Sequence, residues 1–379
     1  MSTAAPSLMP RTGPAVTTLP FWSAVRTVFV LETRQRLRGK GWYWMLGIWF
    51  VVIGFVFVLT SAYSDNTPNE GGMLFDLVVG FVLGFGLLVA PGLSANAVNG
   101  DRAGGTLAIL QVTLLTPGQL LMGKWLASWV GSLAFLVLST PFIFWALALG
   151  GVGGAVASVS LLMLAVQLGV VCALGVAVSA IAGRPLFSIV TTYMLVALLT
   201  VGTVIVFALS AALVTEQRSI TTSSYNPPES ALREDGTLDE TVEWECYTQT
   251  YVTDVAHTEY IAWVLAANPF VVVADAVPYT YEEPEEAPPV QGFAYTGGTY
   301  YAPGVMEGVS QLVRQSQAGP DLEVTCEEAL QGMRPLQQET PIWPLGLGLQ
   351  VLLAVALLLL ARRRLTMPAM RLPQGTRIA

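Results

Sequence analysis

The chain has 379 residues, of which 53% are hydrophobic and 12% are charged, and its mean hydropathy is +0.59. A water-soluble domain of this size carries roughly twice that share of charge, so the composition excludes an ordinary soluble protein. The formal net charge of −8 also disfavours nucleic-acid binding, since the sequence has no sizeable basic cluster beyond Arg362–Arg364.

The N-terminal 41 residues divide into two parts. Residues 1–19 are rich in Pro, Thr and Ala and predict a disordered tail. Residues 20–41 carry apolar side chains at helical spacing and a basic face that includes Arg34 and Arg36. This pattern predicts an amphipathic helix lying in the lipid headgroups, with a plain positive anchor as the alternative. No cleavable signal peptide is expected, because these basic residues precede the first apolar run.

Six apolar runs are near or above the ~20 residues needed to cross a bilayer. They are Trp42–Ser61, Met73–Val98, Leu120–Leu149, Val156–Ala182, Leu186–Val214 and Ile342–Ala361. The predicted fold is an all-α polytopic membrane protein with six transmembrane helices and a mixed α/β extracellular domain between the fifth and sixth. Helices one to five occupy residues 42–214, the extracellular domain 215–340, the sixth helix 341–361 and a cytoplasmic tail 362–379.

A short helix is predicted at residues 104–117, between the second and third spans. A charged turn containing Asp101 and Arg102 precedes it, and Thr116-Pro117 ends it. The following Gly118–Lys124 segment matches GxxxxGK, but Trp125 stands where a phosphate-binding loop needs Ser or Thr, and no buried strand precedes it. Lys124 is therefore predicted to anchor the third span by extending toward the interface, rather than to bind a nucleotide.

The distribution of charge predicts the orientation. Residues 215–340 contain 21 acidic and four basic residues, whereas the rest of the chain contains five acidic and 14 basic residues. Lys and Arg near span ends stay in the cytoplasm. With six spans, every basic residue outside 215–340 is cytoplasmic if both termini are inside. The sequence thus predicts a multi-pass plasma-membrane protein with an acidic outer domain.

The outer domain shows several local patterns. Thr215–Asp239 predicts irregular structure, Thr241–Val255 a strand and Met306–Gln317 a helix. Tyr260–Val277 is interrupted by Pro269, and we expect it to lie on or dip into the outer leaflet rather than form a seventh span. Cys246 and Cys326 are predicted to form a disulfide, because both lie outside the cytoplasm; two free thiols are the alternative.

Catalytic and metal-binding residues are not expected. The chain has a single histidine, His257, and the spans contain almost no ionisable groups. The Glu282–Glu286 run lacks the ligand spacing of a calcium loop and predicts a solvated acidic loop. Polar residues within spans, such as Gln167 and Gln350, predict helix–helix contacts, with the lining of a transport path as the alternative.

Four segments together resemble the permease subunit of an ABC-2 type exporter, of the kind found in actinobacteria. Glu32–Arg38 resembles the connecting helix of that family, Asp101–Leu107 its cytoplasmic turn, and Leu114–Pro117 with Gly123-Lys124 its coupling helix and re-entry into the membrane. Asn268–Phe270 resembles its short outer helices before the last span. Gly118-Gln119 departs from the Leu-Ser usual after Thr-Pro, and the outer segment is much longer than in minimal members.

The resemblance implies a half-transporter that pairs with a second permease copy or a paralogue and moves a hydrophobic or amphiphilic substrate outward through the lipid membrane. Two copies of a separate ATP-binding subunit would carry ATP and Mg²⁺, so this chain itself would hold no cofactor and catalyse no hydrolysis. The implied docking surface consists of Asp101, Arg102, Thr106, Leu107, Leu110, Val112, Leu114, Leu115, Thr116 and Pro117, supported from the connecting helix by Glu32, Arg34 and Arg36.

Two other functions are compatible with parts of the sequence. The first is a membrane-anchored sensor or scaffold that acts through its acidic outer domain. The second is an intramembrane enzyme, which needs clustered polar groups at membrane depth that the sequence does not provide.

Overall fold

The computed structural model describes residues 20–64, 70–105, 115–226, 245–279, 304–320, 322–326 and 340–366. Within these ranges six helical segments are long and apolar enough to cross a membrane, and they correspond to the six predicted runs. The chain is therefore a multi-pass helical membrane protein with a small sheet. The predicted N-terminal tail, residues 367–379 of the predicted C-terminal tail, most of the 104–117 segment and the Glu282–Glu286 run lie outside the described residues. The tail predicted from 362 begins later, because the last helix continues to Leu365.

The helices follow in the order of the predicted runs, with ends that differ by a few residues. They are α1 Phe21–Arg38, α2 Lys40–Ser64, α3 Glu70–Ser94, α4 Asn99–Ala103, α5 Pro117–Ala148, α6 Gly154–Ile181, α7 Pro185–Ala197, α8 Thr203–Ala211, α9 Pro269–Ala276, α10 Val305–Ala318 and α11 Trp343–Leu365. The spans are α2, α3, α5, α6, α7 with α8, and α11. The fifth span contains one π-helical turn, Leu198–Gly202, between α7 and α8.

The centre of the bundle is α6. Of its most apolar stretch 78% is buried, against 11% for the α7–α8 span and 17% for α2. It packs against α3, α5 and α11. Large apolar side chains of α2 and α7, such as Phe55 and Leu186, are exposed. This is expected where a helix faces lipid, because lipid chains are as apolar as the side chains they contact.

The first helix lies against α5. It buries Ala24, Val25 and Val28, and it approaches α5 at Gly123, where a Cβ would lie 2.6 Å from the Cβ of Val28. A helix is present within the 20–41 stretch predicted for one, and it packs against α5. We call this end of the bundle the α1 end.

The opposite end carries a three-stranded sheet. β1 Thr215–Asn226 pairs antiparallel with β2 Glu245–Ala256, and β3 Glu323–Val324 adds in parallel to β1. The strand predicted in Thr241–Val255 is confirmed, but the irregular structure predicted from Thr215 is wrong for β1. Its Thr, Ser and Gln side chains show no apolar alternation; they are held by long-range pairing, including the Ser223–Thr248 hydroxyl contact of 3.0 Å.

The predicted disulfide is confirmed. Cys246 at the start of β2 is bonded to Cys326, with a Cα–Cα distance of 6.0 Å. It joins the end of the β1–β2 ribbon farthest from α8 to the segment just after β3. We call the end of the molecule that carries the sheet the sheet end.

The apolar stretch after β2 does not form a seventh span. It is divided into 3₁₀ turns at Thr258–Tyr260 and Ala262–Ala267 and the short helix α9. Asn268 ends the second turn and caps α9, since its Oδ1 accepts a 2.9 Å hydrogen bond from the backbone N–H of Phe270. The helix predicted at Met306–Gln317 is confirmed as α10.

Candidate functional site

Three charged side chains from three helices meet at the α1 end. Lys124 of α5 forms ion pairs with Glu32 of α1 and with Asp101 of α4, the second with an Nζ–Oδ2 distance of 2.7 Å. The Lys124 side chain is only 1% exposed. The prediction that Lys124 extends toward the interface is therefore wrong. Two carboxylates from neighbouring helices offset the cost of desolvating the buried ammonium group. A lysine that only anchored the span would have no such partners.

Arg36 is also turned into the bundle. Its guanidinium donates to the carbonyl of Ala127 at 2.5 Å, to the carbonyl of Leu93 at 3.1 Å and to Ser128 Oγ at 2.9 Å. Burial lowers the pKa of Arg36, while the negative charge of Glu32 acts in the opposite direction. An arginine keeps its charge through such a shift, because its unperturbed pKa is so high.

Glycine makes room for this arginine. A Cβ at Gly131 would lie 2.9 Å from Arg36 Nη1. The basic face predicted for α1 is therefore divided: Arg34 is exposed as expected, whereas Arg36 is a partner of the ends of α3 and α5. A five-donor fork suits this place, since it can satisfy several carbonyl and hydroxyl oxygens at once.

The turn after α3 is fixed to the end of α6. Arg102 donates to Asn99 Oδ1 at 3.0 Å and to the carbonyl of Ala182 at 2.6 Å. Ser179 Oγ accepts from the backbone N–H groups of Val98 and Asn99 at 3.0 and 3.1 Å. These bonds satisfy both a helix start and a helix end, and they add to the apolar contact of Val98 with Val176 and Ala180 of α6.

Thr116 and Pro117 begin a helix. The Thr116 hydroxyl accepts from the backbone N–H of Gln119, and the Gln119 side chain accepts from the backbone N–H of Thr116 at 2.8 Å. This reciprocal capping box, with Pro117 at the first helical position, starts α5. The third span therefore begins at Pro117 rather than at Leu120, and Gly118–Lys124 is helical, so it cannot wrap a phosphate as a loop does.

The structure brings one part of the predicted docking surface together. Glu32, Asp101 and Lys124 form one cluster, Arg102 is bound to α6, and Leu115 packs half-buried against an apolar group that contains Val28. We call Glu32, Arg36, Asp101, Arg102 and Lys124 the α1-end platform. The remaining predicted docking residues, Thr106, Leu107, Leu110, Val112 and Leu114, lie outside the described residues. Before them the chain contributes Asp101 and Arg102 to the platform, and after them Leu115 packs on the apolar group that contains Val28.

Two aspartates at the sheet end have roles that the sequence analysis missed. Asp76 of α3 is buried and accepts from the backbone N–H of Glu307 at 2.7 Å and from the Tyr279 hydroxyl at 3.3 Å. It thereby caps α10 from another helix. The pKa of Tyr279 is raised, chiefly by burial and then by the charge of Asp76.

Asp275 of α9 serves the last span in the same way. Its Oδ2 accepts from the backbone N–H groups of Ile342 and Trp343, at 2.7 and 2.9 Å. A buried carboxylate at a helix start is favourable, because it meets unpaired N–H groups and the positive end of the helix dipole. A single aspartate within an apolar run is the signal that could have identified both caps.

A polar contact also joins two spans within the bundle. Gln167 of α6 donates to Gln350 of α11 at 2.7 Å, and Gln350 donates to the carbonyl of Ala267 at 3.0 Å. Both side chains are buried. This agrees with the helix–helix contact predicted for them and ties the 3₁₀ turn at Ala262–Ala267 to the bundle.

Comparison of the chain with protein-family models, with curated proteins and with solved structures finds no match.

Proposed function

We propose that this chain is the permease subunit of an ATP-driven exporter of the ABC-2 type. The observation that carries the proposal is the Glu32–Lys124–Asp101 cluster, which joins α1, α4 and α5 at the base of the 106–114 segment. An external ATPase can do work on a bundle only if the segment it pushes is attached to the spans without slack. The α1-end platform supports such an attachment, because Asp101 and Arg102, just before the segment, are bound to α5 and α6.

The platform can transmit displacement to several spans. A push on the 106–114 segment reaches α5 through Thr116 and α6 through Arg102, which donates to Ala182. Arg36 couples the same movement to α3 by its bond to Leu93. Hydrogen-bonded and ion-paired contacts resist sliding more than apolar ones, because separation leaves charges unpaired in a low-dielectric interior. The helices then move as rigid bodies.

The distribution of charge supports placing the α1 end in the cytoplasm. Arg34 on α1 and Arg362–Arg364 at the end of α11 are exposed or lie in the last turn there, and such residues remain on the cytoplasmic side. The sheet end is then outside, where a disulfide persists. The soluble ATPase would bind at the α1 end, and two copies are expected for a paired permease.

The walls of the spans support a hydrophobic or amphiphilic cargo. The α7–α8 span presents Leu198, Val201 and Ile205 at its surface. A charged substrate would need partners in the bilayer, and intramembrane charges that serve transport are usually paired or line water-filled cavities. The proposed substrate class rests on these apolar surfaces, which suit lipid and a hydrophobic cargo alike.

The experiment is purification of the tagged chain from its native host in mild detergent, followed by identification of partners and an ATP hydrolysis assay. We expect a stoichiometric soluble ATPase whose binding is lost in Leu110→Asp and weakened in Arg102→Glu. Leu213→Asp is the matched control, because Leu213 is 85% exposed and follows α8 at the sheet end. It should retain the ATPase.

A preparation without any ATPase, in wild type and variants alike, would contradict the permease assignment. The sensor or scaffold function would then be favoured, and partners of the sheet end would be the next target. Loss of the ATPase in Leu213→Asp as well would mean that the variants act through insertion rather than docking.

A further inference from the structure

The single histidine of the chain lies where the sheet joins the bundle. His257 follows β2 directly, and its backbone N–H donates to the carbonyl of Val214 at 3.0 Å. Val214 connects the end of α8 to the start of β1. Any group that acts on His257 therefore acts on the joint through which the ribbon is attached to the fifth span.

Two carboxylates from different elements bracket the imidazole. Nδ1 lies 2.8 Å from Glu259 Oε1 in the 3₁₀ turn, and Nε2 lies 3.4 Å from Glu216 Oε2 on β1. Nε2 and Glu259 Oε2 are both buried without a hydrogen-bond partner among the described residues. The hydrogen bonding of this group is thus incomplete. Adding one proton to the imidazole would give it a second N–H donor for the carboxylates.

Among the described residues, Arg218 competes with the imidazole for Glu216. Its Nη2 lies 3.0 Å from the same Oε2, and the Glu216 side chain is 56% exposed. Tyr260 stacks on the imidazole with ring centroids 5.5 Å apart. Directly after α10, a Cβ at Gly319 would lie 2.6 Å from Glu259 Oε2. On β2, Asp254 lies on the opposite face of the sheet, paired with Gln217.

A metal ion does not account for the site. In the part of the chain that the structure describes, no group of three His, Cys, Asp or Glu side chains is arranged to hold one. Protonation of the imidazole does account for a histidine placed between two carboxylates. A neutral imidazole has one N–H and can donate to only one of the two carboxylates, whereas the imidazolium has two and can donate to both.

We propose that His257 is a proton-sensitive latch that ties β1 to the Thr258–Tyr260 turn when the imidazole is protonated. Imidazole is the side chain whose charge normally changes between pH 5 and 8. The cation is stabilised by Glu216 and Glu259 only while the joint is closed, so closure and proton binding favour each other. The latch is closed on the acidic side of the titration and released as the pH rises.

The test uses the full chain in lipid nanodiscs with isotope-labelled histidine, so that one NMR signal reports one site. We expect the midpoint of the titration to fall by about half a pH unit or more in Glu216→Gln and in Glu259→Gln, because each loses an attractive charge. Asp254→Asn is the matched control. It removes a carboxylate from the same sheet on the other face, and the midpoint should change much less.

A second measurement separates a latch from an inert histidine. The unfolding temperature of the wild type should rise, relative to that of His257→Gln, when the pH is lowered from about 7.5 to 5.5. An equal pH response in the two proteins, or a midpoint that Glu216→Gln and Glu259→Gln leave unchanged, would overturn the proposal. Neither readout involves transport or ATPase binding, so failure here leaves the permease assignment standing.

Discussion

Individual charged residues at the α1 end act as partners of particular atoms rather than as a solvated rim. Lys124 contacts two carboxylates, and Arg36 reaches oxygens on two other helices. A buried pair contributes little net stability over an apolar substitute, but removing one partner leaves the others desolvated and unpaired. The stability of this end therefore depends on complete sets of partners.

Replacing Lys124 by Met should be much more harmful than the same change at Lys40. Lys124→Met leaves Glu32 and Asp101 without their common cation, and we expect a loss of roughly 2–3 kcal/mol, since both carboxylates are only partly exposed. Lys40 is exposed at the start of α2. Unfolding in detergent by urea, followed by circular dichroism, measures the difference.

The double variant Lys124→Met with Glu32→Gln is the informative companion. Removing one of the stranded carboxylates should restore part of the lost stability. If Lys124→Met and Lys40→Met unfolded at the same urea concentration, the ion pairs would have no energetic role.

These partnerships could not be predicted from the sequence. Arg36 and Ala127 are separated by 91 residues, and Lys124 and Glu32 by 92. A charged residue beside an apolar run has the same local pattern whether it reaches for headgroups or for a neighbouring helix. The difference lies in which helix packs beside it, and that is set by contacts distant in the sequence.

At the level of elements, helices approach most closely where glycine removes the side chain. Gly346 of α11 faces the 3₁₀ turn at Ala262–Ala267, and a Cβ there would lie 1.9 Å from the carbonyl oxygen of Ala266. The atom in the way belongs to the backbone, which cannot move aside as the end of a flexible side chain can. Gly348, two residues further along α11, has nothing within 4 Å of the same position.

Gly346→Ala should therefore destabilise the protein by about 1–3 kcal/mol, the usual cost of overpacking. Gly348→Ala should be neutral or slightly stabilising, because alanine favours helix. Thermal unfolding of the two variants in the same detergent compares them directly. A lower midpoint for Gly348→Ala than for Gly346→Ala would contradict this close approach.

The π-helical turn of the fifth span is held by a side chain from another element. Asn268 Nδ2 donates to the carbonyl of Thr200 at 2.8 Å and to Thr203 Oγ1 at 3.0 Å. A π turn frees backbone groups from the regular helical pattern, and within a membrane those groups need another partner. Asn268 provides it while also capping α9.

Asn268→Leu should loosen this turn. The Thr200 carbonyl would keep only the Thr203 hydroxyl, at 3.0 Å, as a side-chain donor, and α9 would lose its cap, at a combined cost of roughly 2 kcal/mol. Hydrogen exchange of the amides in Leu198–Gly202 should become faster, while amides in the centre of α6 stay protected. Thr203→Val removes one of the two Asn268 bonds together with the hydroxyl bonds to the Leu199 and Thr200 carbonyls, so it should also speed exchange at the same amides while leaving the α9 cap in place.

The elements themselves were largely predictable. Long apolar runs fix the spans within a few residues, and Asn268-Pro269 marks the start of α9. The first strand could not be recognised, because the Thr215–Asn226 segment has no alternation of apolar and polar side chains. It exists through its pairing with β2, which requires closing a long loop, and a local pattern contains no information on that partner.

At the level of the whole molecule, the two ends are tied to the same spans by different chemistry. The α1 end uses ion pairs and a buried arginine, whereas the sheet end uses Asp76 and Asp275 as caps and a disulfide. The spans between them are joined by apolar packing and by side-chain hydrogen bonds, among them Gln167 to Gln350, Trp49 to Ser139 and Trp129 to the carbonyl of Ala165.

Removing the disulfide should weaken the sheet end alone. Cys246 and Cys326 are 80 residues apart, and opening a loop of that length costs roughly 4 kcal/mol in the chain-entropy model. In Cys246→Ala with Cys326→Ala, protease resistance of β1 and β2 should fall while the unfolding of the spans changes little. Cys172→Ala is the control, because Cys172 is a free, buried thiol in α6. Equal resistance in both variants would show that the bond adds nothing to the sheet.

The disulfide also has a mechanical consequence. The ribbon formed by β1 and β2 is 12 residues long in each strand, which gives it a reach of roughly 40 Å. Its far tip is bonded covalently to Cys326, in the stretch leading to α11. A pull on the tip is thus carried to the last span without passing through α9 and α10, while the base of the ribbon carries it to the fifth. Tension applied at the sheet end would load two spans at once.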